Sequence, residues 1–434
     1  MNKFGLLGEK LPHSFSVPIH SLFGNDDYAL FEVNKEELDS FFNEGVFEGI
    51  NVTIPYKEAA MKYCSTLDTA VENIGALNTV VRIGKEYMGY NTDIYGFIYL
   101  IRCLSVEVNN RKAVILGSGG TSKMACFALS LLGASEIVVV SRSSRSYETK
   151  VSCPVSFVSY EEVEKFRDAD LLVNTTPVGM YPNNFEAPID LDIFTRLCGV
   201  ADVIYNPLET ELVAGAKRRN IPAINGLGML VAQAYFAEEL FFHRTVNCNE
   251  GNAYSLNATD SQAIERVLER VEATKGNISL IGMPGCGKST LGQALSKRLG
   301  RTFVDSDEEF LSTYGISPAE CIKEYGEKEF RNRETEVIKN ISKLNSAVIA
   351  TGGGVVTRPE NMEMLKRNGR VIFLDRDISK LPTGGRPLSK GDGALERLYK
   401  ERMPLYLSYM DYRVNVCDCV EDSLDELMLC KWCN

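Results

Sequence analysis

Gly282-Met283-Pro284-Gly285-Cys286-Gly287-Lys288-Ser289 fits the pattern G-x-x-x-x-G-K-[ST] at every fixed position. It stands between a β-branched run, NISLIG (277–282), and a helical stretch, which is the context such a loop needs. Backbone amides around Gly285, Cys286 and Gly287 then cradle phosphates. Lys288 reaches the β/γ oxygens, and Ser289, followed by Thr290, ligates Mg²⁺. The expected ligand is ATP or a similar nucleotide. Cys286, read as an exposed thiol at a helix N-terminus, would be acidified and oxidisable.

A second glycine-rich turn lies earlier. KAVILG is followed by Ser118-Gly119-Gly120-Thr121, with glycines at 117, 119 and 120, and then by the helical TSKMACFALSLLG. Such a turn lets backbone approach a pyrophosphate at a helix N-terminus. Ser122 stands where G-x-G-x-x-G has its third glycine, so the turn by itself also fits an ordinary tight turn. The next β-branched run ends in Ser141-Arg142-Ser143-Ser144-Arg145. A dinucleotide site for NAD would carry an acid there, whereas arginine accommodates a 2′-phosphate. Arg142 with Arg145 therefore reads as an NADP clamp, the alternative being a solvated basic turn.

Two sets of elements must position these groups. KAVILG, EIVVVSR, ADLLVNTT and GVADVIY alternate with helical stretches before residue 245, and NISLIG, TFVDSD, SAVIATGGG and RVIFLD do so after 276. This alternation predicts an α/β fold with parallel sheets on both sides. Between them, NCNEGNAYSLNATD reads as a polar loop and SQAIERVLERVEATKG as an amphipathic helix. The expected organisation is a substrate lobe of 1–100 completed by 226–245, a cofactor lobe of 101–225, a linker of 246–275 and a phosphate-loop domain of 276–434.

The 434 residues are 44% apolar and 24% charged, the balance of a folded globular protein, and about three folding units fit that length. Of the net charge of −11, −10 lies in the first 250 residues, with 21 Lys and Arg against 31 Asp and Glu; the remainder has 26 against 27, or −1. Neither part has the basic surplus of a nucleic-acid binder. Three histidines leave little for a histidine triad or a zinc hydrolase. No apolar run of about 18 residues and no signal-like start is present, so a cytoplasmic location with no membrane partner is expected. Cysteines scattered along the whole length suggest reduced thiols. Cys417, Cys419, Cys430 and Cys433 offer four thiolates to a metal such as zinc, but VNVCDCV also reads as a last strand with alternate side chains in the core.

His13-Ser14-Phe15-Ser16, Asn51-Val52-Thr53-Ile54-Pro55-Tyr56-Lys57, Gly75-Ala76-Leu77-Asn78-Thr79, Asn91-Thr92-Asp93 and Gly226-Leu227-Gly228-Met229-Leu230-Val231-Ala232-Gln233 occur in that order. With the cofactor turn, residues 4–242 resemble shikimate dehydrogenase. The resemblance implies a two-lobed enzyme with a Rossmann-type NADP lobe and Lys57 and Asp93 as catalytic pair. It implies Ser14, Ser16, Thr53, Asn78, Tyr205 and Gln233 on the substrate, and Gly226 near the cofactor. A Lys–carboxylate pair also suits the chemistry, because hydride reduction of a ketone leaves an alkoxide that needs a proton. The chain departs from the family pattern at Val17, with proline one place later at Pro18, and at Ile94 and Tyr95 after Asp93.

Asp305 and Asp307, Phe330-Arg331-x-x-Glu334, Gly352-Gly353-Gly354, Arg386-Pro387-Leu388 and Arg402 before Pro404-Leu405-Tyr406 complete a second set. Residues 276–420 resemble shikimate kinase. By that resemblance Asp307 binds the acceptor and takes its hydroxyl proton, and Asp305 assists Mg²⁺. Arg331, Gly353, Gly354 and Arg402 hold the acid substrate, and Arg386 on a lid stabilises the transferred phosphoryl group. The segment from Asp375 to Arg386 is shorter than the family's usual arm.

The two resemblances fit one another. The first module would reduce 3-dehydroshikimate to shikimate with NADPH, and the second would phosphorylate the hydroxyl so formed with ATP. A bifunctional enzyme of aromatic biosynthesis, monomer or homodimer, is the expectation. Alternatives are an NAD-using quinate dehydrogenase joined to another small-molecule kinase, or a module that senses its ligand without turnover.

Overall fold

Runs such as KAVIL, EIVVV and LLVN are apolar at successive positions because each strand is covered on both faces, the pattern of parallel sheets flanked by helices. The structure, a computed structural model, describes residues 3–11, 15–144, 146–243, 257–381 and 394–433, the side chain of Ala394 excepted. They divide into two units, Met1–Tyr205 with Thr210–Val271, and Asn206–Glu209 with Glu272–Asn434.

The first unit holds two six-stranded sheets. One is built from β1 (Phe4–Gly8), β2 (Tyr28–Glu32), β3 (Gly49–Val52), β4 (Thr66–Leu67), β5 (Thr79–Ile83) and β6 (Glu86–Tyr90), in the order β2-β1-β3-β5-β6-β4. β1 pairs in parallel with β2 and β3, whereas β5 runs antiparallel to both β3 and β6. The other consists of β7 (Lys112–Leu116), β8 (Glu136–Val140), β9 (Val155–Val158), β10 (Leu171–Asn174), β11 (Gly199–Asp202) and β12 (Ala223–Ile224). Its order, β12-β11-β10-β7-β8-β9, is parallel throughout. Counted from β7 this is the doubly wound order 3-2-1-4-5-6, which puts a ligand crevice beyond the carboxyl ends of the strands where the winding reverses, between β7 and β10.

Helix Asp93–Cys103 crosses helix Leu227–Phe241 closely. A Cβ on Gly96 would lie 2.4 Å from the Met229 carbonyl, so only glycine permits that approach. Ile94 and Tyr95, at the positions departing from the family pattern, are buried, Tyr95 stacked on Phe236 at 4.7 Å.

The second unit has one parallel sheet of β13 (Asn277–Ile281), β14 (Thr302–Asp305), β15 (Ala347–Ala350), β16 (Gly369–Asp375) and β17 (Tyr412–Asn415), ordered β14-β15-β13-β16-β17. The glycine loop leaves central β13 and opens helix Lys288–Leu299. The predicted amphipathic helix spans Ala258–Lys275. The predicted last strand is shorter than expected: β17 stops at Asn415, and Cys417 and Cys419 lie exposed beyond it. The periodicity failed there because Val420–Met428 forms a helix that ends the extended run. Among the described residues no cluster of three or more His, Cys, Asp or Glu is arranged to hold a metal, and no helix is long and apolar enough to cross a membrane.

Candidate functional site

Five separate elements of the first unit converge on one cavity of about 640 Å³. Ser16 opens helix Ser16–Leu22; Thr53 and Lys57 follow β3; Asn78 precedes β5. Asp93 is the first residue of its helix, where the N-terminal dipole favours a carboxylate, and Gln233 faces it from the crossing helix. Lys57 Nζ donates to Asp93 Oδ2 at 2.5 Å. Asn78 Nδ2 donates to Asp93 Oδ1 at 2.9 Å and lies 3.4 Å from Gln233 Oε1, while the Thr92 amide donates to Asn78 Oδ1 at 2.6 Å. The carboxylate is thus held on both oxygens, and Lys57, about one-third exposed, keeps a path to solvent.

Tyr205, Thr121 and Gly226 border the same cavity. Tyr205 meets Phe15 edge-on at 5.4 Å, and burial pushes its phenol up. The Tyr205 loop is anchored by buried Asp202, which accepts from Asn174 Nδ2 at 3.0 Å, the Ile204 amide at 3.1 Å and Thr210 Oγ1 at 2.7 Å. Desolvation raises the Asp202 carboxyl to about 6 in spite of these bonds. Gly117, Ser118, Gly119 and Gly120 form the turn after β7, with Gly119 capping helix Gly120–Leu131. A Cβ on Gly119 or Gly120 would meet nothing within 4 Å, leaving open space over the helix N-terminus, as a pyrophosphate would require. Arg142 is exposed two residues beyond β8, and the Gly117 amide donates to the Val140 carbonyl at 2.8 Å, so the basic turn borders the glycine turn. Ser14 and Arg145 lie outside the described residues.

Sequence reading missed what stands behind this wall. Asn51 lines the cavity and accepts from Tyr28 Oη at 2.8 Å. Tyr28 stacks on buried His20 at 3.7 Å, and His20 Nδ1 pairs with Glu238, which also accepts from Asn25. Burial is the main influence on His20 and holds its imidazole below the usual range.

In the second unit a cavity of about 560 Å³ is lined by Gly285, Gly287, Lys288, Ser289, Thr290, Asp305, Asp307, Arg331, Gly353, Gly354 and Arg402. Lys288 Nζ donates to the carbonyls of Gly282 and Met283 at 2.9 and 3.0 Å. Ser289 Oγ donates to Asp305 Oδ2 at 2.5 Å, placing two hard oxygen donors together, and the other Asp305 oxygen caps the next helix at the Asp307 amide, 2.9 Å away. Helix Pro318–Ile341 breaks at Gly326 (φ 84°), and its second part presents Arg331 and Glu334 one turn apart, bonded at 2.7 Å. Burial raises the Glu334 carboxyl although Arg331 opposes it. A Cβ on Gly354 would meet the Arg331 guanidinium at 2.2 Å; glycine there makes room for the arginine. Tyr406 Oη donates to the Gly353 carbonyl at 2.5 Å and fixes the triple-glycine turn.

Cys286 departs from its expected setting. Its side chain is fully buried, packed towards Gly282 beneath the loop, because the tight turn points residue 286 inward. An exposed, oxidisable thiol is therefore ruled out there. Arg386 and most of the short arm after Asp375 fall outside the described residues.

Residues 6–80 match the family described as shikimate dehydrogenase substrate binding domain, and residues 284–428 match the family described as shikimate kinase. A shikimate dehydrogenase (NADP(+)) of Caldanaerobacter subterraneus is 39% identical over 252 residues, 54% of this chain and 89% of the relative. Another, of Clostridium beijerinckii, is 37% identical, over 56% of this chain and 92% of the relative. Among solved structures, shikimate dehydrogenase 1 of Peptoclostridium difficile matches with TM-score 0.52 and 32% identity, covering 62% of this chain and 99% of that one. A Thermus thermophilus shikimate 5-dehydrogenase in complex with NADP(H) and shikimate matches with TM-score 0.52 and 27% identity, over 62% and 100%.

Proposed function

Since the chain belongs to the shikimate dehydrogenase family and carries a shikimate kinase domain behind that part, we propose that it performs two consecutive reactions. The first is NADPH-dependent reduction of 3-dehydroshikimate to shikimate; the second is ATP-dependent phosphorylation of the new 3-hydroxyl. The observation that carries the reading is the Lys57–Asp93 pair at 2.5 Å inside a cavity walled by hydroxyls and amides. A carboxylated, polyhydroxylated ring needs such a wall.

NADPH, when bound over the open Gly119–Gly120 turn, supplies the hydride. Lys57 as ammonium gives a proton to the alkoxide left at the former carbonyl oxygen, becomes neutral, and regains its proton from solvent. Asp93, held by Asn78, keeps the ammonium aimed. Ser16, Thr53 and Gln233 orient the ring, with Tyr205 closing the cofactor side.

In the second unit Asp307 takes the proton of the attacking hydroxyl, and Arg331 and Arg402 pair with the substrate carboxylate, for which the guanidinium fork is suited. Lys288 exchanges its two loop carbonyls for β/γ oxygens, and Arg386 completes the clamp. Ser289 and Asp305 fit Mg²⁺, a hard ion held by few protein oxygens together with phosphates and water.

An exposed Arg142, with no acid in SRSSR, speaks for NADP over the NAD-using alternative. The Lys57–Asp93 pair in the first cavity, and Asp307 with the phosphate loop in the second, speak against a mere sensor. Arg142→Ala is expected to raise the KM for NADPH about 10- to 100-fold and leave that for NADH nearly unchanged, since only NADPH carries the 2′-phosphate that guanidinium pairs with. Steady-state kinetics with both cofactors check this; equal losses would give Arg142 a role in the fold alone.

A further inference from the structure

Parallel strands are usually joined by a helix, yet between β8 and β9 the described part of 141–154 contains none. An irregular segment of that length has no internal ladder of backbone bonds to set its shape. It is instead fastened by side chains to one face of helix Gly120–Leu131. Ser122 Oγ and Tyr147 Oη are hydrogen-bonded at 3.0 Å. Buried Cys126 has Thr149 and Tyr147 as its neighbours from the segment. Ser130 Oγ bonds Ser152 twice, with its hydroxyl and its amide both at 3.0 Å. Positions 122, 126 and 130 recur at the i, i+4, i+8 spacing of one helical face.

The first fastening is the tightest placed. Ser122 is wholly buried, and the Tyr147 ring is seated edge-on against Phe157 of β9 at 4.9 Å. At the other end the segment is tied by the Ser141 amide to the Val158 carbonyl at 3.0 Å and turned back by Ser144 in the left-handed region (φ 48°). In sequence, Arg142 lies between these two ties.

We propose that Ser122 and Tyr147 are positioning residues for cofactor choice: their hydrogen bond stands in for the missing crossover helix and holds the Arg142 turn over the 2′-phosphate position. Ser122, the residue that breaks the G-x-G-x-x-G pattern, thereby has a task that glycine could not perform. The proposal rests on the reading that Arg142 takes the 2′-phosphate.

The test uses the full chain and kcat/KM for NADPH and NADH with 3-dehydroshikimate, in wild type, Tyr147→Phe, Ser122→Ala, Arg142→Ala and the Arg142→Ala/Tyr147→Phe double variant. Losing one hydrogen bond should lower the NADPH/NADH preference about three- to ten-fold in Tyr147→Phe and in Ser122→Ala, with kcat at saturating NADPH unchanged. In the Arg142→Ala background Tyr147→Phe should change the preference no further. If Arg142→Ala collapses the preference while Tyr147→Phe and Ser122→Ala leave it intact, or lower both cofactors equally, the proposal is overturned and the Arg142 reading stands. A Tyr147→Phe effect that persists in full without Arg142 also overturns it. If Arg142→Ala leaves the preference unchanged, the underlying reading fails, and the proposal with it.

Discussion

Lys288→Ala is expected to lower phosphoryl transfer to shikimate by about 10³-fold, the scale of removing a preorganised charge donor from a transferring phosphoryl group. Lys288 is 8% exposed and its ammonium donates to the Gly282 and Met283 carbonyls of its own loop. The other described cations of the lining, Arg331 and Arg402, are the ones proposed for the carboxylate of the acid substrate. Loss of the two carbonyl bonds also loosens the loop, so ADP formation should be measured with a thermal melt. Oxidation of NADPH by the same preparation serves as an internal control and should be unchanged, because every residue proposed for reduction belongs to the other unit. Residual phosphorylation within ten-fold of wild type would remove Lys288 from its proposed role.

Lys57→Ala should cut dehydroshikimate reduction by about 10²–10⁴-fold while NADPH binding survives, the range for losing a general acid. The Lys57 ammonium has one carboxylate partner at 2.5 Å, and that partner is itself held by Asn78, an anchoring that no bond described for Lys10, the other described lysine of the lining, provides. The half-open position of Lys57 also predicts that removing it leaves the surrounding core intact. Stopped-flow or steady-state NADPH absorbance, with cofactor binding followed by fluorescence, separates the chemical step from binding. Near-normal turnover with the side chain gone would transfer the proton donor to another group.

What could be read from the sequence depended on how locally each feature is encoded. The loop Gly282–Ser289 is contiguous, and its strand and helix flank it directly, so both its place and its fold were legible. Arg331 and Glu334 were paired by helical spacing alone, and they meet at 2.7 Å. The first cavity was legible only through five blocks in a familiar order, since no spacing tells that Asn78 and Gln233, 155 residues apart, come within 3.4 Å. The buried His20–Glu238 pair, 218 residues apart, left no local signal at all. Periodicity misled at the end of the chain, where Cys417 and Cys419 continue an alternating pattern past the last strand bond of β17. The direction of the Cys286 side chain was likewise invisible, because a turn obeys no fixed period.

The most direct test of two consecutive reactions on one chain is a single incubation of the full protein with 3-dehydroshikimate, ATP and Mg²⁺, to which NADPH is added last, following NADPH absorbance and ADP separately. ADP should remain at background until NADPH is added, then rise behind NADPH oxidation to no more than one equivalent; supplied shikimate should yield ADP with no NADPH present. Failure of NADPH oxidation, or failure of supplied shikimate to yield ADP from a folded preparation, would contradict the account.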